Sequence, residues 1–267
     1  MLQRFSAIFL CLCVAVQLAA CGAPSADAQP SAPAPSPAVV ETPTPTPSPT
    51  PEPVLEDPEA YFDNTLFVGD SIMEGIRQYV AKHRGVEPTL EGATFLTAVD
   101  GIGIATLVQG GTYRYNGESQ PLAQIVAQQA PKRIFLLLGL NDLADLDPVV
   151  DEIVASYAQL IEMLAQAAPG AEIVVMTNPP KVASKWLPDY TPNRNFGNGL
   201  IDEFVEALTQ MCDEQGVPYV DIHEALSDEN GSLPDDFCRD GFLHLSDAGS
   251  AVVVEALEQF AVERCSQ

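Results

Sequence analysis

The sequence predicts an α/β fold, a three-layer α/β/α sandwich built on about five parallel strands. Two observations carry this. Along residues 57–267, short apolar runs alternate with longer helical stretches, strand then helix, about five times. That alternation belongs to a parallel sheet with helices on both faces. In addition, residues 134–138 (Ile-Phe-Leu-Leu-Leu) are apolar at every position, as a strand buried on both faces must be. The length of this segment suits one domain with a sizeable core.

The elements follow in order. Residues 66–68 (Leu-Phe-Val) read as the first strand, and Gly69-Asp70-Ser71 as the turn that leads into a helix over 73–83. His83 falls at the end of that helix, where the dipole favours a histidine. Residues 93–99 read as the second strand. Residues 109–121 form a small hairpin on Asn116-Gly117, carrying Tyr113 and Tyr115. A helix over 122–129 precedes the strand at 134–138. The longest helix spans 149–168 and is stopped by Pro169-Gly170. Residues 173–176 are the next strand. The stretch 181–198 is irregular and aromatic, with Trp186, Tyr190 and Phe196; it is read equally as a sugar platform and as a cover for the sheet edge. A helix over 200–215 ends at Gly216, residues 219–221 are a short strand, and Ser246 or Asp247 caps a closing helix over 247–262.

The N-terminal part has a different character. Arg4 precedes a stretch, residues 7–18, that is apolar apart from Gln17. It is too short to span a bilayer and fits an export signal. It ends in Leu18-Ala19-Ala20-Cys21-Gly22, which resembles a bacterial lipoprotein signal with Cys21 as the lipidated residue. Residues 22–56 are mostly Ala, Pro, Ser and Thr, with proline at every second position from Pro43 to Pro49. Such a composition buries no core and reads as an extended spacer. At about 3.1 Å per residue, about thirty residues reach on the order of 90 Å. The expected organisation is therefore a signal over 1–21, a stalk over 22–56 and one domain over 57–267, anchored outside the cytoplasm.

Charge and cysteine usage narrow the function. The chain carries 37 acidic and 12 basic residues, a formal net charge of -25. Nucleic acid and anionic membrane surfaces should repel it, so the membrane is met through the N-terminal lipid only. Within the domain only Cys212, Cys238 and Cys265 remain, which allows at most one disulfide. No pair has zinc-site spacing, and neither a metal nor a cofactor is expected.

The polar residues that follow each strand can be read as one site, because ligands bind at the carboxyl ends of the strands in such sheets. These are Ser71; Asp100-Gly101-Ile102-Gly103; Gly139-Leu140-Asn141-Asp142; and, before the last helix, Asp240-Gly241-Phe242-Leu243-His244. A serine at a strand-to-helix turn is equally an N-cap or part of a phosphate-binding turn. The other strand ends favour catalysis. Acyl transfer by serine requires a base, a carboxylate to orient it and donors for the oxyanion, and each of these types is present. Asp142 is read as a turn cap and His223 as structural.

On these residues the chain resembles the SGNH/GDSL hydrolases. Gly69-Asp70-Ser71 is similar to their first block, Gly101 (with Gly103 as a substitute) to the second, Gly139-Leu140-Asn141-Asp142 to the third, and His244-Leu245-Ser246 to the fifth. The resemblance implies a flavodoxin-like SGNH hydrolase fold with Ser71 as nucleophile, His244 as base and Asp240 as its carboxylate. The oxyanion donors it implies are Ser71, Gly101 and Asn141. One departure stands out: the family usually places the aspartate three residues before the histidine, whereas Asp240 lies four before His244. Asp236 is the fallback, and a Ser–His pair without a carboxylate is the third option. The implied function is a lipid-anchored serine esterase for short acyl groups, O-acetyl first, on an acylated small molecule, carbohydrate or envelope glycan. An acyltransferase using the same acyl-enzyme, and a non-catalytic glycan-binding lipoprotein, are the alternatives.

Overall fold

Two strands of the main sheet are buried along their whole length: all five residues of both β1 (Thr65–Gly69) and β5 (Arg133–Leu137). The computed structural model describes residues 57–85, 90–98, 101–183, 192–193 and 195–266. The expected signal, Cys21, the stalk, Asp100, Trp186 and Tyr190 lie outside the described residues.

Between these two strands the chain forms α1 (Ser71–Lys82), β2 (Thr94–Thr97), α2 (Ile104–Val108), a hairpin of β3 (Thr112–Tyr115) and β4 (Glu118–Pro121), and α3 (Leu122–Gln129). After β5 come α4 (Leu140–Leu143), α5 (Val150–Ala167), β6 (Glu172–Met176), α6 (Asn198–Gln215), β7 (Tyr219–Val220), α7 (Ile222–Leu226) and α8 (Asp247–Cys265). The main sheet has the order β2-β1-β5-β6-β7, and every pair in it is parallel. In this order the chain steps outward from β1 to β2, then returns to the other side of β1 as β5. The strand order therefore reverses between β1 and β5, which is where such folds open a ligand crevice. The register sharpens the point: Gly69 lies level with both Thr97 and Leu137, so the segments that follow β1 and β5 leave the sheet side by side.

Two groups of helices cover the sheet. Helices α1 and α7 pack on α8, and α5 packs on α2, α3 and α6. The core is tied by a row of aromatic rings in strand register. Phe67 is the register partner of both Phe95 and Phe135 and stacks on each at 4.9 Å. Phe62 lies 5.7 Å from Phe135, and Phe260 of α8 meets the Phe135 ring edge-on at 6.0 Å. Each fully buried Phe contributes on the order of 1.5–3 kcal/mol. The row thus fixes α8, and with it the loop that precedes α8, against the sheet. At the N-terminal end of the strands, Arg133 donates to the Tyr61 carbonyl at 2.5 Å and to Glu172 at 3.3 Å, and Glu172 also receives Arg264 of α8.

The expected elements are present with shifted ends. The first helix begins at Ser71 itself, with Asp70 as its N-cap. The second strand is shorter than 93–99, and the closing helix runs on to Cys265. The hairpin turns on Asn116 and Gly117, both at positive φ (51° and 84°), the conformation an Asn-Gly type I′ turn demands. Gly216 ends α6 in the left-handed region at φ 67°. Among the described residues, Cys212 and Cys238 are not joined in a disulfide.

Candidate active site

The site is assembled from two turns and two loops, the β2–α2 loop bringing Gly101. The β1–α1 turn places Asp70 and Ser71. Asp70 Oδ1 caps α1 by accepting the Ile72 N–H at 2.9 Å, which fixes Ser71 at the first position of the helix. The preceding Gly69 is required by space: a Cβ there would stand 2.4 Å from Met73 Cβ and 2.8 Å from the Leu137 carbonyl oxygen. The Gly69 carbonyl is held from the side by the Tyr113 hydroxyl at 3.1 Å, and Tyr113 is buried. The hairpin, whose role is not readable in the sequence, thus buttresses the serine turn.

The β5–α4 turn places Asn141. Gly139 has φ 124°, and a Cβ there would meet the Phe204 ring at 2.5 Å. Only glycine allows α4 to start so abruptly. Asn141 Nδ2 donates to Asp70 Oδ2 at 2.9 Å and lies 3.3 Å from the Ile102 carbonyl. The two turns are therefore coupled by the Asp70 carboxylate, which is 1% exposed. Burial pushes its carboxyl up to about 6, against the pull of the Ile72 N–H and of His244.

His244 and Asp240 come from the loop before α8. His244 Nε2 lies 3.0 Å from Ser71 Oγ, and His244 Nδ1 lies 2.6 Å from Asp240 Oδ2. The other carboxylate oxygen, Asp240 Oδ1, accepts the backbone N–H groups of Phe242, Leu243 and His244 at 2.9, 3.2 and 3.3 Å. Partial burial raises the Asp240 carboxyl, but His244, the Phe242 N–H and the Cys238 thiol outweigh it and hold the group at about 2. Asp240 is consequently charged wherever His244 would need it.

Ser71, His244, Asp240, Gly101 and Asn141 are thus brought together. Gly101, at φ 71°, lines the cavity with Ser71 and Asn141. Gly103 does not; it is the N-cap of α2, and a Cβ on it would stand 2.8 Å from Asp142 Oδ1. Asp142 caps α2 through the Ile104 N–H at 2.9 Å, a helix distant in the chain rather than the local turn expected of it. Asp236 is exposed and offers its carbonyl to Ser246 Oγ. His83 caps the end of α1, with Nδ1 2.9 Å from the Tyr79 carbonyl. His223 Nδ1 lies 2.8 Å from the Asn178 carbonyl, and its Nε2 is 3.3 Å from Asp202.

The resulting cavity is about 250 Å³. Ile72, Leu140, Phe196 and Phe242 give it apolar walls around the polar floor of Ser71, Asn141 and His244. Phe196 reaches it because Asn193 pins the neighbouring segment to the end of α4, donating to the Leu143 carbonyl at 2.9 Å. Its ring lies 5.9 Å from that of Phe242. Of the aromatic stretch 181–198, Phe196 therefore contributes to the cavity wall. Three features of the site escape sequence reading: the Asp70–Asn141 bond, the Tyr113 prop and the Cys238 contact to Asp240. Each joins positions far apart in the chain or depends on a loop shape, so residue type and spacing carry no trace of it.

Residues 67–252 match the profile of the GDSL-like lipase/acylhydrolase family. Among curated protein sequences, none matches the chain. Solved structures with a similar fold include a GDSL-like lipase from Bacteroides thetaiotaomicron, at 17% identity over 73% of this chain and 88% of that one, with a TM-score of 0.55. The acetylxylan esterase Axe2 from Geobacillus stearothermophilus is 19% identical over 74% and 93% of the two chains, with a TM-score of 0.52. The acetyl xylan esterase AlAXEase is 17% identical over 73% and 98%, also with a TM-score of 0.52.

Proposed function

The chain belongs to the GDSL-like lipase/acylhydrolase family, and from that premise we propose that it is a serine esterase, held outside the cytoplasm by a lipid on Cys21, that removes short acyl groups from carbohydrate or envelope glycan. The observation that carries the reading is the unbroken line from Ser71 Oγ through His244 to Asp240 Oδ2, at 3.0 and 2.6 Å. In this reading Ser71 Oγ attacks the acyl carbonyl as His244 Nε2 takes its proton. The charge that develops on His244 is held by Asp240, which stays ionised. His244 then gives the proton to the leaving sugar oxygen, afterwards draws one from the water that attacks the acyl-enzyme, and passes it to Ser71 Oγ as the acid departs.

The oxyanion is received by the Ser71 and Gly101 N–H groups and the Asn141 amide. Asn141 Nδ2 carries two protons. One is committed to Asp70 at 2.9 Å, and the other makes only a long 3.3 Å contact with the Ile102 carbonyl. The second is the one free to turn to a developing oxyanion. The Ser71 N–H lies in the first turn of α1, where backbone donors lack partners and the helix dipole favours negative charge.

The size of the cavity supports a short acyl group, since about 250 Å³ falls below the roughly 300–1,000 Å³ of sites that enclose drug-sized ligands. The likeness to two acetylxylan esterases supports acetyl on a sugar. The test is turnover of p-nitrophenyl esters from acetyl to octanoyl, followed by acetate release from acetylated polysaccharides. Activity should fall steeply with chain length, and acetate should be released. Preference for octanoyl, with no acetate from any polymer, overturns the carbohydrate reading.

A further inference from the structure

The spacing of four between Asp240 and His244 sets a geometric problem, because the carboxylate must reach back over an extra residue and still meet the imidazole edge at Nδ1. The 238–245 loop solves it as a closed hairpin. Cys238 and Leu245 form an antiparallel bridge, and the Arg239 N–H donates to the His244 carbonyl at 2.8 Å. Gly241 absorbs the reversal at φ 70°, a conformation that glycine adopts without strain. Inside this hairpin Asp240 Oδ1 collects four donors. Three are backbone N–H groups from residues that follow Asp240. The fourth, the Cys238 thiol at 3.3 Å, is the one that comes from a residue preceding Asp240.

We propose that Cys238 is a positioning residue, whose S–H holds Asp240 Oδ1 so that Oδ2 is presented to His244. The inference rests on the reading of Ser71, His244 and Asp240 as a triad. Without the thiol, Oδ1 keeps only the donors from residues 242–244, which hold it from one side about a broad and soft terminal torsion. With the thiol in place it is held from both sides. Burial and the neighbouring Asp240 both push the thiol up, so the sulfur keeps its proton and remains a donor at neutral pH. The role also accounts for a half-buried cysteine with no disulfide partner.

The consequence is both geometric and electrostatic. A donor on Oδ1 draws charge from the carboxylate and weakens its hold on a protonated imidazole. The titratable groups that act on His244 are Asp240 from its own loop and Asp70 from the β1–α1 turn; the Cys238 thiol reaches it through Asp240. Replacing Cys238 leaves Asp70 and Asp240 in place.

The experiment compares Cys238→Ala, which removes the donor, with Cys238→Ser, which keeps one on a shorter arm. The readouts are p-nitrophenyl acetate turnover across pH, labelling of Ser71 by a fluorophosphonate, and thermal melting. Cys238→Ala should lower kcat by roughly tenfold, the order expected for one lost bond to a charged group. KM and melting temperature should hold, and the acid limb of kcat/KM should move to higher pH. Cys238→Ser should recover most of the activity and the wild-type limb. Wild-type kcat and pH profile in Cys238→Ala overturn the proposal. So does equal loss in both variants with a lowered melting temperature, which marks a purely structural thiol. Wild-type protein that neither turns over ester nor labels at Ser71 sinks the triad reading and this inference with it. A labelled, active wild type with an unaltered Cys238→Ala sinks the inference alone.

Discussion

Asp70 shows how one side chain joins two parts of the site. One of its oxygens caps α1 and so places Ser71; the other holds Asn141. The sequence makes the first of these roles readable, since an aspartate before a helix start is an N-cap. The second depends on β1 and β5 being neighbours. Asp70→Asn offers one acceptor where the carboxylate offers two, so Asn141 loses its anchor. Turnover of p-nitrophenyl acetate should fall by roughly tenfold, the order of one buried charged hydrogen bond. The pH dependence of stability gives a second, independent readout. The folded Asp70 carboxyl lies at about 6 against an ordinary 3.8, so the native state holds a proton that the unfolded chain has released. Its contribution to stability is complete below the ordinary value and is lost as the pH rises through 6. Asp70→Asn does not titrate. In urea unfolding, the stability of the variant relative to wild type should therefore improve between pH 4 and pH 7, and a constant difference across that range would refute the assignment. At Ser71 the expectation is simpler. Ser71→Ala should lower kcat by several powers of ten with an unchanged melting temperature, and a fluorophosphonate should label wild type but not the variant.

At the scale of elements, the strands at 66–68, 134–138 and 173–176 and the long helices were readable, because each carries an unbroken apolar run or a repeating apolar face. The short helices α2, α4 and α7 span five, four and five residues. That is too short for a 3.6-residue period to repeat, so they are invisible to pattern. The Asn116-Gly117 hairpin was readable for a different reason, since its turn chemistry is local. Its use was not, because where a hairpin docks is decided by the tertiary fold. Tyr113 puts its hydroxyl on the Gly69 carbonyl, which also accepts the Ala98 N–H. Tyr113→Phe removes one of two bonds to that oxygen without opening a cavity. It should cost about 1 kcal/mol in urea unfolding and lower kcat for p-nitrophenyl acetate with KM unchanged. A loss of stability with kcat intact would make the hairpin a fold element with no hold on the serine turn. The same contrast separates Asp240 from Gly101. Residue type and order brought both to notice, but the four-residue spacing and the choice against Gly103 depend on backbone shape at Gly241 and on the Asp142 cap.

For the whole molecule, charge and architecture bear on where the enzyme works. With 37 acidic and 12 basic residues, the protein gains nothing from an anionic surface, and membrane attachment through the protein surface is disfavoured. The proposal that a lipid on Cys21 does the anchoring answers this, and the proline-rich composition of 22–56 makes it the proposed spacer. A neutral acetylated glycan fits such a charge better than a polyanion does. The two parts of the proposal separate experimentally. Cys21→Ser should move the protein from the membrane fraction to the soluble extracytoplasmic fraction, while turnover of p-nitrophenyl acetate per molecule stays at the wild-type value, because Cys21 lies outside the domain that holds Ser71 and His244. Deleting most of residues 22–56 while keeping Cys21 should leave the protein on the membrane with the same turnover of the small ester. Acetate release from the cell's own envelope should drop, since a domain held close to the bilayer covers less of the layer above it. Cys21→Ser protein that stays with the membrane would remove the lipid from the account. A deletion variant that releases envelope acetate at the wild-type rate would show that reach does not limit the reaction, and would place the substrate at the membrane surface.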